Sequence, residues 1–256
     1  AEYVLRRGDA DFIAMGRKLL ADPELPNKLL HGQRQAIRPC IYCYTCVSRI
    51  FVNDHVRCAV NARTGHEHNV VILPAAQPRH VLVVGGGPAG MEAARVAALR
   101  GHRVTLAEQA ADLGGTVFFS SIVYPENGKL ITYLAGQLQE LGVDVRLRTP
   151  VTREFLLALA PAAVVVATGA RRDAPPVPGT GQTHVFSGDE LRALMTGSDS
   201  ATVNSKLHWW QGVLLRLAGL LRITRNARWM RRLSYWWMPV GKQVSIVGGG
   251  LVGLEL

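Results

Sequence analysis

The segment from Arg79 to Glu108 constrains this chain more than any other. It opens on HVLVVG, an apolar, β-branched run that reads as a buried strand, and passes through GGPAG into MEAARVAALR, whose apolar spacing is helical. Gly85 allows a tight turn, Gly87 lets backbone approach a pyrophosphate, and Gly90 lets the helix lie close on the sheet. Gly101 stops the helix at the position where a positive φ costs little. The next strand, HRVTLAE, ends in Glu108. That is about 20 residues past the turn, where a carboxylate takes ribose hydroxyls. Three spaced glycines alone are a weak signal. Strand, glycines, helix, glycine stop, strand and acid in that order predict a βαβ unit that binds an adenine dinucleotide, because a ligand-free turn leaves the closing acid unexplained.

Two later features choose the dinucleotide. A second glycine pair follows the acid in LGGTVFFSS and includes Gly115, and a late strand AVVVATGA ends in Ala167-Thr168-Gly169. Both belong to FAD domains of the disulfide-reductase type, and they carry the assignment to FAD. Between them the spacing predicts a helix near Lys129 to Leu141, a strand at VDVRL and a helix from Thr152 to Ala160. A proline-rich turn, RRDAPPVPGTG, then marks a crossover toward a second nucleotide-binding half. Its strand is QVSIV and its fingerprint is Gly248, Gly250 and Gly253.

Upstream of the fingerprint stand all four cysteines of the chain, Cys40, Cys43, Cys46 and Cys58. They are too local to staple 256 residues, and they fit a reducing compartment in which thiols are metal ligands. Three thiolates at x2 spacings can cap adjacent corners of a cubane while the fourth returns from a later segment, which suits a [4Fe-4S] cluster. Zinc stays open as an alternative, with His55, His66 or His68 as nitrogen ligands, as do unligated thiols. The first residues, AEYVLRRGDADF, show neither a basic leader nor an apolar signal core, and no apolar run reaches the roughly 20 residues of a spanning helix. A soluble, cytoplasmic protein is expected.

Both ends read as interrupted. YVLRRG and DFIAMG look like a helix end, a turn and a buried strand, and Gly16 and Arg17 then open a helix. A strand end meeting Gly-Arg at a helix start is how the last units of a β/α barrel hold a phosphate. Asp22-Pro23 starts a further short helix through about Leu30.

Taken in order, GR-x-LLADPELPNKL, RPCIYCYTCVSRIF with CAVN, GGGPAG with LGG and ATG, and a second GGGLVG resemble the multidomain NADH:flavin oxidoreductases. That group includes 2,4-dienoyl-CoA reductase, the 2-enoate reductases and trimethylamine dehydrogenase. The resemblance covers nearly the whole chain except 198–240. It implies an α/β protein: the end of an FMN-bearing TIM barrel (1–38), an iron-sulfur segment and linker (39–78), a Rossmann-like FAD domain (79–197), a basic Trp-rich insertion (198–241) and the start of an NAD(P)H domain (242–256).

Residue by residue, it implies that Gly16 and Arg17 hold the FMN phosphate and the four cysteines hold the cluster. Gly85, Gly87, Gly90, Gly115 and Glu108 contact FAD, and Gly248, Gly250 and Gly253 form the NAD(P)H turn. The implied activity is NAD(P)H-dependent reduction of an activated C=C bond in a small-molecule substrate of the enoate or enoyl-CoA type. An amine dehydrogenase is the alternative, which the x2 gap between Cys43 and Cys46 resembles more. A non-catalytic electron-transfer or nucleotide-binding fragment is the alternative of another class. No catalytic residue is assigned, because the family's substrate-facing groups lie on earlier barrel strands.

The segment Lys206 to Lys242 departs from the family pattern. It holds all five tryptophans and eight cations with no acid, and so supplies most of the net charge of +10. Leu214, Leu215, Leu217, Leu220 and Leu221 fall at amphipathic helical spacing. The expected role is a helical insertion that packs its Trp and Leu face on neighbouring domains or subunits. Peripheral contact with an anionic membrane is the alternative. With no base-reading module, nucleic acid is not an expected partner.

Overall fold

The valine-rich runs form one parallel sheet. In a computed structural model, which describes residues 2–170, 177–196, 205–207, 212–213, 226–236 and 243–247, β1 (His80–Val84) is flanked by β2 (Arg103–Ala107) and β4 (Ala163–Val166), with β3 (Asp144–Arg146) beyond β2. The order β3-β2-β1-β4 makes the chain reverse its direction of sheet growth at β1. Register runs from His80 opposite Arg103 to Val84 opposite Ala107, and Val84 also faces Val166. Parallel strands buried on both faces read as continuous apolar runs, which is why HVLVV lacks alternation.

The helices follow the glycine punctuation. The connection between β1 and β2 is α5 (Pro88–Leu99), with proline in its first turn and Gly101 beyond its end at φ 86°. α7 (Glu126–Glu140) starts a turn earlier than its apolar spacing suggests, because Pro125 supplies the entry. It buries Leu130, Tyr133, Leu134 and Leu138, one helical stripe, against Met91 and Ala94 of α5 and Val81, Val83, Val104 and Leu106 of the sheet. α6 (Thr116–Val123) follows the LGG pair, and α8 (Arg153–Leu159) is capped by Thr152, whose hydroxyl accepts from Phe155 N–H at 3.2 Å.

The first 64 residues are assembled differently, by buried polar clamps. α1 (Glu2–Arg6), α2 (Arg17–Ala21), α3 (Leu25–Leu30) and α4 (Thr45–Phe51) are all short. Asp22, 4% exposed, accepts from Lys28 Nζ at 2.7 Å and from the backbone N–H groups of Arg38 and Glu24. Asn61 and Thr64 both donate to the Leu20 carbonyl.

The buried strand expected at DFIAMG does not form. Residues 12–15 join no sheet, and Phe12 is 90% exposed. An apolar run becomes a strand only beside another strand, and none of the described strands lies next to it. QVSIV departs in the same way: residues 244–247 join none of the described strands, with Val244, Ile246 and Val247 exposed.

Two compact units divide at Gly169 and Ala170. In the second, α9 (Gly188–Thr196) and a helix at Ala227–Trp236 are described. Lys206, counted among the cations of the basic segment, is buried there: Nζ donates to Glu190 Oε1 at 2.6 Å and to the Val185 carbonyl at 2.7 Å. Burial alone would raise the Glu190 pKa, but Lys206 and Ser187 hold it below the ordinary range. Met230 is buried on the later helix, while Trp229 and Tyr235 are exposed. The leucine run 214–221 and Trp209, Trp210 and Trp237 lie outside the described residues. No helix among the described residues is long and apolar enough to cross a membrane.

Candidate functional site

Three glycine-containing segments, far apart in sequence, meet at the C-terminal ends of β1, β2 and β4. Gly85 turns at φ 108° directly against the Ala167 carbonyl, so a side chain at 85 has no room. Gly90 lies against the Gly85 carbonyl with the same consequence, which seats the first turn of α5 on the loop. Nothing lies within 4 Å of where a Gly87 side chain would be, so that side of the loop is open for a ligand. The LGG pair closes over the turn: Gly114 N–H donates to the Gly86 carbonyl at 2.8 Å, and the Gly115 Cα hydrogens face the Gly87 backbone. All of the FAD residues expected from sequence therefore come together at the switch point of the sheet, where open α/β folds bind ligands.

Glu108 follows the last residue of β2 and reaches back into this loop. Its carboxylate accepts from Gly86 N–H at 2.6 Å and from Ala110 N–H at 2.7 Å, one bond to each oxygen. Each oxygen keeps a second lone pair, and a vicinal diol is a fitting donor to the two.

The four cysteines line one cavity together with Arg17, Tyr42, Tyr44 and Val60. Cys40 lies in the loop before α4, Cys46 in its first turn, and Cys58 in the loop that returns after it. Tyr42 and Tyr44, on either side of Cys43, have φ of 53° and 57°. Bulky residues rarely adopt that left-handed conformation, and it marks functional loops held in shape by their surroundings. Burial pushes the Cys58 thiol pKa up, and nearby Cys43 and Cys40 add to this against opposing N–H groups of Val60 and Asn61.

Among the described residues, no three Cys, His, Asp or Glu side chains are close enough to share a single metal ion. His55, His66 and His68 are exposed and do not line the cavity.

Arg38 joins the two arms of this loop and was not identified from sequence. Two residues before Cys40, it donates from Nη1 to the carbonyl of Val60, two residues after Cys58, at 2.6 Å. It also lies over the Tyr133 ring of α7 at 5.6 Å and pairs with Glu92 of α5 at 3.5 Å. Arg17, expected at a phosphate, also lines the cysteine cavity, with its guanidinium 5.0 and 4.7 Å from the centres of the Tyr42 and Tyr44 rings. Gly248, Gly250 and Gly253 lie outside the described residues.

A family model described as pyridine nucleotide-disulphide oxidoreductase matches residues 79–256. The chain belongs to that family. Among relatives of this oxidoreductase, a metal reductase of Desulforamulus reducens is 43% identical over 187 residues, covering 70% of the chain and 28% of the relative. A cinnamate reductase of Clostridium sporogenes is 37% identical over 255 residues, covering 97% of the chain and 31% of the relative. The oxidoreductase thus spans under a third of the length of either. A solved 2-naphthoyl-CoA reductase complexed with 2-naphthoyl-CoA superposes with a TM-score of 0.72 at 28% identity, over 91% of this chain and 39% of that one. These matches put the chain with the 2-enoate reductase type of flavoenzyme.

Proposed function

We propose that this chain is the cluster and FAD portion of an FMN/FAD/[4Fe-4S] oxidoreductase that uses NAD(P)H to reduce an activated C=C bond. The observation that carries the reading is that four cysteines line one cavity in the same compact unit as the dinucleotide loop. Supporting it, four thiols around one cavity can each take a separate iron corner of a cubane.

When bound, the cofactors would carry hydride from NAD(P)H to FAD, single electrons through the cluster to FMN, and hydride plus a proton to substrate. The chain's own residues do the holding. Gly85, Gly87, Gly90 and Gly115 shape the pyrophosphate bed and Glu108 takes the ribose. Cys40, Cys43, Cys46 and Cys58 ligate the cluster, and Gly248, Gly250 and Gly253 form the NAD(P)H turn. Residues 1–38 close an FMN barrel, with Gly16 and Arg17 at the phosphate turn. The protein works in the cytoplasm.

The x2 gap between Cys43 and Cys46 favours a second reading, an amine dehydrogenase sending electrons outward. Full-length protein, purified anaerobically, should hold about four irons and four sulfides per chain with FAD and FMN. It should oxidise NADH or NADPH against enoates, and turnover of amines alone would select the second reading. Stoichiometric zinc without sulfide would remove the cluster from the proposal.

A further inference from the structure

The cysteine loop and the dinucleotide loop share one mount. Ile41, next to Cys40, and Val60, two residues past Cys58, pack against the buried cluster that contains Met91 of α5 and Leu130, Tyr133 and Leu134 of α7. Both arms of the cysteine loop are thereby seated on the core that carries the sheet. Arg38 locks them there. Its backbone N–H donates to Asp22 at 2.7 Å and its Nη1 to the Val60 carbonyl at 2.6 Å, while its guanidinium lies 5.6 Å from the centre of the Tyr133 ring and 3.5 Å from Glu92.

Glu92 extends this clamp to the flavin side. It stands one helical turn after Pro88, at the end of α5 that Gly90 seats on the Gly85 loop. Arg95, itself buried, donates to both Glu92 oxygens at 2.8 and 2.7 Å, so the carboxylate is already fixed where Arg38 meets it. A guanidinium is a planar fork of five donors, able to face a carbonyl, a carboxylate and a ring at once, which a single ammonium cannot do. Arg38 therefore runs from both cysteine arms to the helical turn beneath the pyrophosphate bed. Close-packed groups of this kind leave little slack between the two sites.

We propose that Arg38 is a positioning residue for electron passage: by tying both cysteine arms to α5 it sets the separation of the bound cluster from FAD. In the step it governs, one electron leaves reduced FAD, which is oxidised, and enters the cluster, which is reduced. No covalent bond forms or breaks, and the hydride that reduced FAD comes from NAD(P)H. Transfer between held centres slows steeply as they are misplaced, so slack in the clamp appears in the rate of this step rather than in the potential. The proposal rests on the cluster reading above.

The test mixes full-length holoenzyme anaerobically with NADH or NADPH and follows FAD by absorbance and the cluster by freeze-quench electron paramagnetic resonance, for wild type, Arg38→Met, Arg38→Lys and Glu92→Gln. Iron, sulfide, flavin and the cluster midpoint are measured first. Wild type lacking iron and sulfide is the failure of the cluster reading, visible before any kinetics. In Arg38→Met, FAD should be reduced at the wild-type rate while the cluster follows at least about tenfold more slowly. Arg38→Lys keeps the charge, so its midpoint should stay within about 59 mV of wild type, a tenfold ratio for one electron, yet its cluster should also fill slowly. Glu92→Gln leaves the cysteine loop untouched and should slow the same step by about threefold or more, which decides the matter if the Arg38 variants do not retain the cluster. Wild-type transfer in fully loaded Arg38 variants overturns the proposal. Slowing in Arg38→Met that Arg38→Lys fully restores overturns it too, since Arg38 would then act by charge, and a wild-type rate in Glu92→Gln overturns the link to α5.

Discussion

Replacing Arg38 with methionine isolates one clamp. The side chain is 9% exposed, and its one short bond is Nη1 to the Val60 carbonyl at 2.6 Å. The contacts to Tyr133 Oη and Glu92 are long, at 3.4 and 3.5 Å. Breaking a buried ion pair usually costs about 3–5 kcal/mol because it strands a charge. Glu92 is not stranded here, since Arg95 donates to both of its oxygens at 2.7 and 2.8 Å. What remains is an unpaired, part-buried carbonyl at Val60, a cost of about 1–3 kcal/mol, while methionine keeps the apolar contact with Tyr133. Denaturant unfolding should therefore show a lower midpoint at unchanged slope, with a folding constant reduced about 5- to 150-fold. The loss should be local as well: Cys40 and Cys58 should react faster with a thiol reagent, while amide exchange in β1 and β2 changes only as far as global stability does. Wild-type labelling rates together with a wild-type midpoint would refute the idea that Arg38 ties the arms.

Three further outcomes are expected. Glu108→Gln should lose FAD affinity by about tenfold or more in a flavin titration, because an amide offers one acceptor where the Gly86 and Ala110 N–H groups require two; unchanged affinity would make Glu108 a bystander. Gly90→Ala drives a methyl into the Gly85 carbonyl and should destabilise by about 1–3 kcal/mol or more, read as a lower melting temperature together with lost flavin. Full-length protein should not co-sediment with anionic vesicles if the Trp and Leu face of the basic segment packs on neighbouring domains or subunits. Binding that vanishes with added salt would instead favour a membrane role for the basic segment.

How far the sequence could be read depended on whether the signal was local. The β1 turn, α5, Gly101 and Glu108 each leave a mark within a few residues, and their assembly follows from chain connectivity. The ATG strand end was recognisable as a type, and its seat against Gly85 explains why the two motifs occur together. DFIAMG and QVSIV failed because an apolar run specifies burial without supplying a neighbour. Arg38 was invisible for another reason: among 29 lysines and arginines nothing local distinguishes those that are buried. The left-handed tyrosines were equally hidden, since tyrosine has no preference for that conformation and only the packing around Arg17 shows what holds them.

Those two tyrosines bear on speed as well as shape. Each left-handed non-glycine residue stores about 1–3 kcal/mol that the surrounding fold has already met. A thiol loop strained into shape in this way has few neighbouring conformations to relax into, so a change of charge at its centre displaces its ligands little. Small displacement means low reorganisation energy. If the loop holds the proposed cluster, which would accept and release one electron at a time between two flavins, its stiffness would let transfer keep pace with hydride delivery at a modest difference in potential.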